Sequence, residues 1–308
     1  MEEPVTFKNR AGQTLFGILH IPDHHVELRP KVGINLLNPG LKNRVAPNRL
    51  NIKIARMLCE KGFYVLRFDP HGIGDSEGVL PDDLALNLWG HIQKGSFVED
   101  TLTANNYLIK KCSIQNLILI GSCGGAITAL LSSAKDKNVK KLILIDLPVI
   151  ISSDKRRFKD RIISSKEAEN QATLAYLNKL IAHPSSWLRF CTGKSDYSAI
   201  WTLMNRKLPF KKKTDKAPAY DEINFNHEIP VALDNLLSRK VRIDFLLADN
   251  DNNTQIFMDK FQKPYLTKGR CERFCKVHVI QFANHIYTLE ESQANLMDYV
   301  LNSLINMK

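Results

Sequence analysis

Cysteine is scarce in this sequence, with six in 308 residues and none in a Cys-X-X-Cys pair. A chain of this length with so few is not built on a disulfide scaffold. Cys271 and Cys275 stand four apart with no histidine at ligand spacing, so no zinc or other metal site is expected. The N-terminus, Met1-Glu2-Glu3-Pro4, lacks a basic region followed by an apolar stretch, which argues against a signal peptide. No apolar run approaches the roughly 20 residues that a spanning helix needs. Internal repeats and low-complexity segments are also missing. Together these absences predict a protein of the reducing cytoplasm with no membrane span.

Negative charge is the minority sign: 32 Asp and Glu face 43 Lys and Arg, for a formal net charge of +11. Such a balance favours an acidic partner, such as nucleic acid, an anionic membrane surface, a CoA-type substrate or an acidic carrier protein. The positive residues are scattered, however. The one tight run, Lys211-Lys212-Lys213, has no aromatic interleaving, so nucleic-acid binding is not expected.

What the chain does have is a 44% hydrophobic content, enough for one large core. Short apolar runs alternate with amphipathic stretches, the pattern of strands feeding helices into a mostly parallel sheet. Strands are predicted at residues 15–21, 32–38, 64–69, 117–121, 142–147, 241–248 and 276–282. The predicted helices cover 47–61, 96–111, 124–134, 254–266 and 290–306. Between residues 148 and 228 the alternation stops, in a stretch rich in Lys, Arg and Ser that carries Trp187 and Trp201. That is too long for an ordinary loop. The expected organisation is a core of residues 1–147 and 229–308 with a mainly helical lid inserted at 148–228.

The strongest local signal is Leu117-Ile118-Leu119-Ile120-Gly121-Ser122-Cys123-Gly124-Gly125-Ala126, a buried strand running straight into a helix start. This is the context of a nucleophile elbow, in which a sharp turn strains the central residue and small neighbours avoid clashes. A cysteine there has its sulfur above the sheet at a positive helix N-terminus. The bland alternative is a buried structural cysteine. An elbow also needs an acid and a histidine downstream at strand ends, in that order. Phe245-Leu246-Leu247-Ala248-Asp249-Asn250-Asp251 and Phe282-Ala283-Asn284-His285 supply them. Asp251 is preferred as the acid because it stands far enough past the strand to bend toward the histidine loop. Asp249 is the fallback, and Asp146, at the end of the strand after the elbow, is a weaker candidate. Two backbone N–H groups should face the developing oxyanion: that of Gly124, and that of Leu41 in the loop Leu37-Asn38-Pro39-Gly40-Leu41.

A second glycine cluster, Asp69-Pro70-His71-Gly72-Ile73-Gly74-Asp75-Ser76-Glu77-Gly78, has the wrong spacing for a dinucleotide fingerprint and is followed by Pro81-Asp82-Asp83, not an apolar helix. No nucleotide or other cofactor is expected. His71 is as well suited to a structural role in that turn as to facing a pocket.

The segments Asn38-Pro39-Gly40, Arg67-Phe68-Asp69, the second glycine cluster, the elbow, Asp251 and His285 together resemble the α/β-hydrolase superfamily, in its serine aminopeptidase-like branch. Within that branch the chain is similar to the exosortase-associated hydrolases. The likeness is carried by Asn43-Arg44-Val45-Ala46-Pro47-Asn48-Arg49, Asp251-Asn252-Asn253-Thr254-Gln255-Ile256-Phe257, Ala283-Asn284-His285-Ile286-Tyr287 and Trp187-Leu188-Arg189-Phe190-Cys191-Thr192-Gly193-Lys194. The resemblance implies an α/β-hydrolase fold and a cysteine at the elbow. The chain departs from that subfamily in Gly124, where an acidic residue is expected, and in His71, where arginine is usual.

The function expected from these residues is cleavage of an ester or thioester through a thioester on Cys123, with His285 as base and Asp251 orienting it. The substrate would be a small acyl compound, free or carried on CoA or an acidic carrier protein. Two alternatives stand beside it. One is an acyltransferase or cyclase, in which an amine or hydroxyl replaces water; the other is an inactive binding protein that keeps the fold.

Overall fold

The computed structural model describes residues 1–27, 30–81, 85–152, 224–267 and 269–305. Eight strands form one sheet: β1 Glu2–Lys8, β2 Thr14–His20, β3 Val32–Leu37, β4 Tyr64–Phe68, β5 Asn116–Ser122, β6 Val139–Ile145, β7 Arg242–Ala248 and β8 Cys275–Ile280. Their spatial order is β1-β2-β4-β3-β5-β6-β7-β8. β1 pairs antiparallel with β2, and β2 with β4. Every other pairing is parallel.

The central strands show why a parallel sheet forms here. Along β5, Leu117 and Leu119 enter one apolar cluster, while Ile118 and Ile120 enter the cluster on the opposite face. β6 repeats the arrangement, with Leu142 and Leu144 on one side and Ile143 and Ile145 on the other. Strands buried on both faces read as continuous apolar runs, and each such side chain contributes about 1.5–3 kcal/mol when fully buried.

Helices cover both faces. Among the described residues they are, in chain order, α1 Leu50–Glu60, α2 Ala85–Gln93, α3 Val98–Cys112, α4 Gly124–Lys135, α5 Glu228–Ser238, α6 Asn252–Phe257, α7 Arg270–Phe274 and α8 Glu290–Ile305. α1 and α8 supply Leu50, Ile54, Leu58, Leu296 and Val300 to the cluster holding the β5 and β6 isoleucines. α3, α4 and α5 supply Leu108, Ile127, Leu130, Ile229 and Leu233 to the other.

Several elements differ from the sequence expectation. β1 was not foreseen because only Val5 of it is buried; an edge strand with polar residues on its open side carries little apolar signal. α2, over Ala85–Gln93, was not among the predicted helices. The last strand stops at Ile280, and Phe282 turns the chain with φ +57°. The helix expected over 254–266 starts earlier, capped by Asp251, and becomes π-helical over Met258–Leu266 with Pro264 inside it.

The chain divides into two units, Met1–Asp154 with Asn224–Lys308, and Lys155–Ile223. The second unit, and with it nearly all of the lid expected over 148–228, lies outside the described residues. The two segments that flank it are joined within the first unit. Ile150 bridges Phe225 in antiparallel fashion. The Ile151 N–H donates to the Asn224 carbonyl and the Asn226 N–H to that of Val149, each at 2.8 Å. The Gln93 side-chain amide of α2 fastens the strap, its nitrogen donating to the Ile150 carbonyl at 3.0 Å while its oxygen accepts from the Ser152 N–H at 2.5 Å. Among the described residues, no helix is long and apolar enough to cross a membrane.

Candidate active site

β5 delivers Cys123 to the carboxyl edge of the sheet, and α4 begins at the next residue. Cys123 has φ +51° and ψ −121°, a conformation that L-residues avoid and that surrounding structure must impose. Two constraints impose it. The Cys123 N–H donates to the Ile145 carbonyl of β6 at 2.8 Å, and its own carbonyl accepts from Ala126 inside α4. The flanking glycines are required by close approach: a Cβ on Gly121 would overlap the Gly125 carbonyl, and one on Gly125 would overlap the carbonyl of Asn38.

β7 and β8 bring the other two residues. Asp251, at the N-cap of α6, places Oδ2 2.6 Å from His285 Nδ1, and its Oδ1 accepts from the Asn253 N–H at 3.0 Å. Cys123 is the other group close enough to act on His285, and it raises the imidazole pKa alongside Asp251. The structure therefore brings Cys123, His285 and Asp251 near one another. The hydrogen bond to Asp251, and after it the nearby Cys123, raise His285 well above the usual imidazole range, against the effect of burial. Burial works to raise the Asp251 carboxyl, but the hydrogen bonds from His285 and Asn253 outweigh it and hold it below the ordinary range.

Asp249, the fallback acid, does something else. Its two carboxylate oxygens accept the N–H groups of Phe282 and Ala283, both at 2.9 Å. That grip shapes the turn from which His285 projects. A carboxylate spent on two backbone donors is not free to orient an imidazole.

Leu41 and Gly124 come from the two loops expected. Gly40 (φ +64°) lies under the Trp89 ring of α2, where a Cβ would collide with the indole. The Gly40 Cα lies 2.8 Å from where a Cβ on Gly124 would be, so the two loops are in contact. Neither the Leu41 nor the Gly124 N–H donates to a backbone acceptor among the described residues. For Gly124 this follows from its place in the first turn of a helix.

The Leu41 loop is held by residues that sequence reasoning did not assign to the site. Asp69 is fully buried and receives Asn38 Nδ2 at 3.1 Å and the Arg44 N–H at 2.5 Å, and the Arg44 guanidinium pairs with it. Arg44 also reaches Asp75 at 2.6 Å. An Asn-Pro-Gly followed by Arg, with Arg-Phe-Asp downstream, was the available signal; pairing across 25 positions was what the sequence alone could not show. A cleft of about 700 Å³ adjoins this loop, lined by Leu41, Ala46, Pro47, Ile73, Leu80 and Leu88 among others.

His71 does not join Cys123 and His285. Its Nδ1 and its backbone N–H both meet Asp100 Oδ2 at 2.7 Å, and its ring packs edge-on against Phe97. The hydrogen bond to Asp100 raises its pKa against burial. Asp146 lies close by: ligand-type atoms of Asp146, Asp251 and His285 are all within 4.8 Å of one another, a grouping that no sequence spacing reveals. Asp251 and His285 are already bonded to each other.

A mostly parallel eight-stranded sheet flanked by helices, with an elbow after the fifth strand and a histidine after the last, is the α/β-hydrolase fold. Solved structures agree. An α/β serine hydrolase without a lid from Xanthomonas campestris superposes with a TM-score of 0.53 at 13% identity, covering 100% of this chain and 96% of that one. An esterase of Pyrococcus furiosus gives 0.56 at 14% identity, over 99% of this chain and 91% of its own. Est1E of Butyrivibrio proteoclasticus, solved with ferulic acid bound, gives 0.54 at 15% identity, over 98% and 100%. No family model and no curated protein matches the sequence.

Proposed function

We propose that this protein is a hydrolase of the α/β-hydrolase fold that cleaves an ester or thioester through a thioester on Cys123. The reading rests above all on one observation, the strained Cys123 beside a histidine that is itself bonded to Asp251. The serine hydrolase and the esterase among its structural neighbours agree with acyl chemistry.

In this mechanism the Cys123 sulfur gives its proton to His285 and attacks the carbonyl carbon. The carbonyl π pair moves onto oxygen, where the N–H groups of Leu41 and Gly124 stabilise it. Collapse breaks the bond to the leaving alcohol or thiol, which takes the proton from His285. Water, deprotonated by the freed imidazole, then attacks the thioester and releases the acid and the Cys123 thiol. Asp251 fixes the ring so that Nδ1 keeps its proton and stabilises the imidazolium.

The departures at Gly124 and His71 leave this chemistry intact, and the likeness to exosortase-associated hydrolases supports a cysteine as the intended nucleophile. The substrate is a small acyl compound, and the net charge of +11 favours one carried on CoA or an acidic carrier in the cytoplasm. Because a thioester is readily passed on, transfer to an amine or hydroxyl is the second reading; free acid as the sole product with acceptors present rejects it.

Intact-mass analysis after exposure to an activated ester tests the proposal. The expected result is an acyl adduct that disappears in Cys123→Ala, together with loss of turnover. An adduct and turnover that persist in Cys123→Ala would overturn it, and a wild-type chain that neither acquires an adduct nor turns over would leave a binding protein.

A further inference from the structure

Asp146 immediately follows β6, with φ +48°, and is 2% exposed. Its Oδ1 accepts the Ala248 N–H at 2.7 Å. Its Oδ2 has no well-formed hydrogen bond, and neither does the hydroxyl of Tyr287, the buried ring that faces it. Buried polar atoms left short of partners are uncommon and call for a functional explanation. Here the explanation is close at hand, because Asp146, Asp251 and His285 lie within 4.8 Å of one another. The sheet thus offers His285 two carboxyl groups, one from the end of β6 and one from the turn after β7.

We infer that Asp146 is a second acid standing behind the His285–Asp251 pair, a positioning residue able to hold the imidazole when Asp251 does not. The inference rests on the proposed role of His285. In the resting site Asp251 has the closer approach and takes Nδ1, and Asp146 remains in reserve. Its titratable and charged neighbours are Asp251, His285 and Tyr287, with Asp249 also facing Tyr287. Burial, reinforced by the Asp251 charge, pushes the Asp146 carboxyl up to about 7 against the Ala248 N–H, so that near neutrality it is easily switched between acid and carboxylate. With Asp251 intact, a proton on Asp146 avoids two like charges side by side. With Asp251 neutralised, Asp146 loses that proton to solvent and becomes the carboxylate that accepts the His285 N–H.

Asparagine tests this cleanly, since Asp146→Asn keeps an oxygen for the Ala248 N–H. Asp146→Asn is expected to lower turnover of an activated ester by less than about fivefold, and Asp251→Asn by ~10–100-fold. The residual activity of Asp251→Asn should rise with pH on the acid side of neutrality as Asp146 ionises, since the Asp251 charge that helped to raise it is gone. In the double variant a further ~10-fold should be lost, with that pH dependence gone. NMR titration of the His285 ring supplies a readout independent of turnover: the pKa should stay raised in Asp251→Asn and fall in the double variant, where Cys123 alone still raises it. A double variant indistinguishable from Asp251→Asn in both rate and ring pKa overturns the inference, as does an Asp146→Asn loss equal to that of Asp251→Asn in a folded protein. Failure of the enzymatic reading looks different, because it appears as turnover surviving Cys123→Ala whatever the carboxyl variants do.

Discussion

Asn48 and Ile286 stand 238 positions apart in the chain, yet the Asn48 side-chain amide donates to the Ile286 carbonyl at 2.8 Å. The acceptor immediately follows His285. The donor lies in the run that leads from the Leu41 loop into α1, where Ala46, Asn48 and Arg49 all have positive φ, at 61°, 55° and 58°. Strain of this kind costs of order 1–3 kcal/mol per residue and persists only where the surroundings enforce it. Arg44 holds one end of the run to Asp69 and Asn48 holds the other to the histidine loop, so the segment ties the stretch after Leu41 to the loop that carries His285.

Asn48→Ala is therefore expected to lower stability by about 1–2 kcal/mol, combining a lost hydrogen bond with the poorer fit of alanine to a left-handed position. Turnover should fall several-fold through kcat, with KM little changed, because the interaction is with the histidine loop and not with the cleft. Thermal unfolding and steady-state kinetics on the same preparation check both. A variant as stable as wild type with unchanged kcat would show that the tether has no effect on the site.

Gly125→Ala puts a methyl group into the Asn38 carbonyl, which is main chain and cannot rotate away. Either α4 or the loop carrying Leu41 must shift. Overpacking of this kind costs about 1–3 kcal/mol. Activity should drop further than the stability loss explains, because both candidate oxyanion donors lie on the elements being forced apart. Acylation rates measured well below the melting transition separate the two effects.

The parallel core, the elbow after β5 and the pairing of Asp251 with His285 were legible because each depends on local pattern: apolar runs buried on both faces, a run of small residues after a strand, and an acid and a histidine just past strand ends. β1 was not, since an edge strand with one buried residue has almost no apolar signal. The division of labour between Asp249 and Asp251 was visible only as a preference, because two residues decide whether a carboxylate meets two backbone amides or an imidazole. Asp69, Arg44 and Asn48 were missed as site residues because their partners are distant in sequence. No periodicity reports a contact between positions 48 and 286.

The His285–Asp251 pair makes stability depend on pH in a definite direction. His285 is raised from 6.5 on folding, so its contribution is complete below pH 6.5 and is lost as pH rises toward the folded value. Asp251 is lowered from 3.8, so its contribution is complete above pH 3.8 and is lost as pH falls through the folded value. The gap in melting temperature between wild type and Asp251→Asn should therefore be widest between pH 3.8 and 6.5 and should narrow on the alkaline side. A gap that grows from pH 6.5 to 9 would mean that the imidazole is neutral in the folded protein.

Cys123→Ser isolates the demand that the nucleophile places on this histidine. The Asp251 hydrogen bond is the largest cause of the raised His285 pKa and survives the substitution, whereas the smaller contribution from Cys123 is removed. The imidazole of the variant should thus titrate lower than in wild type but still above 6.5, leaving it mostly protonated at neutral pH. A thiol gives up its proton far more readily than a hydroxyl, so the wild-type site can work with an imidazole that holds its proton tightly. Serine needs the neutral ring as a general base. Turnover of Cys123→Ser should accordingly fall by about a hundredfold or more at neutral pH and recover in part as pH rises through the imidazole titration. A pH–rate profile set beside an NMR titration of His285 checks the correspondence. Serine activity that is flat with pH, or close to wild type at neutrality, would show that the cysteine is not matched to the proton affinity of its histidine.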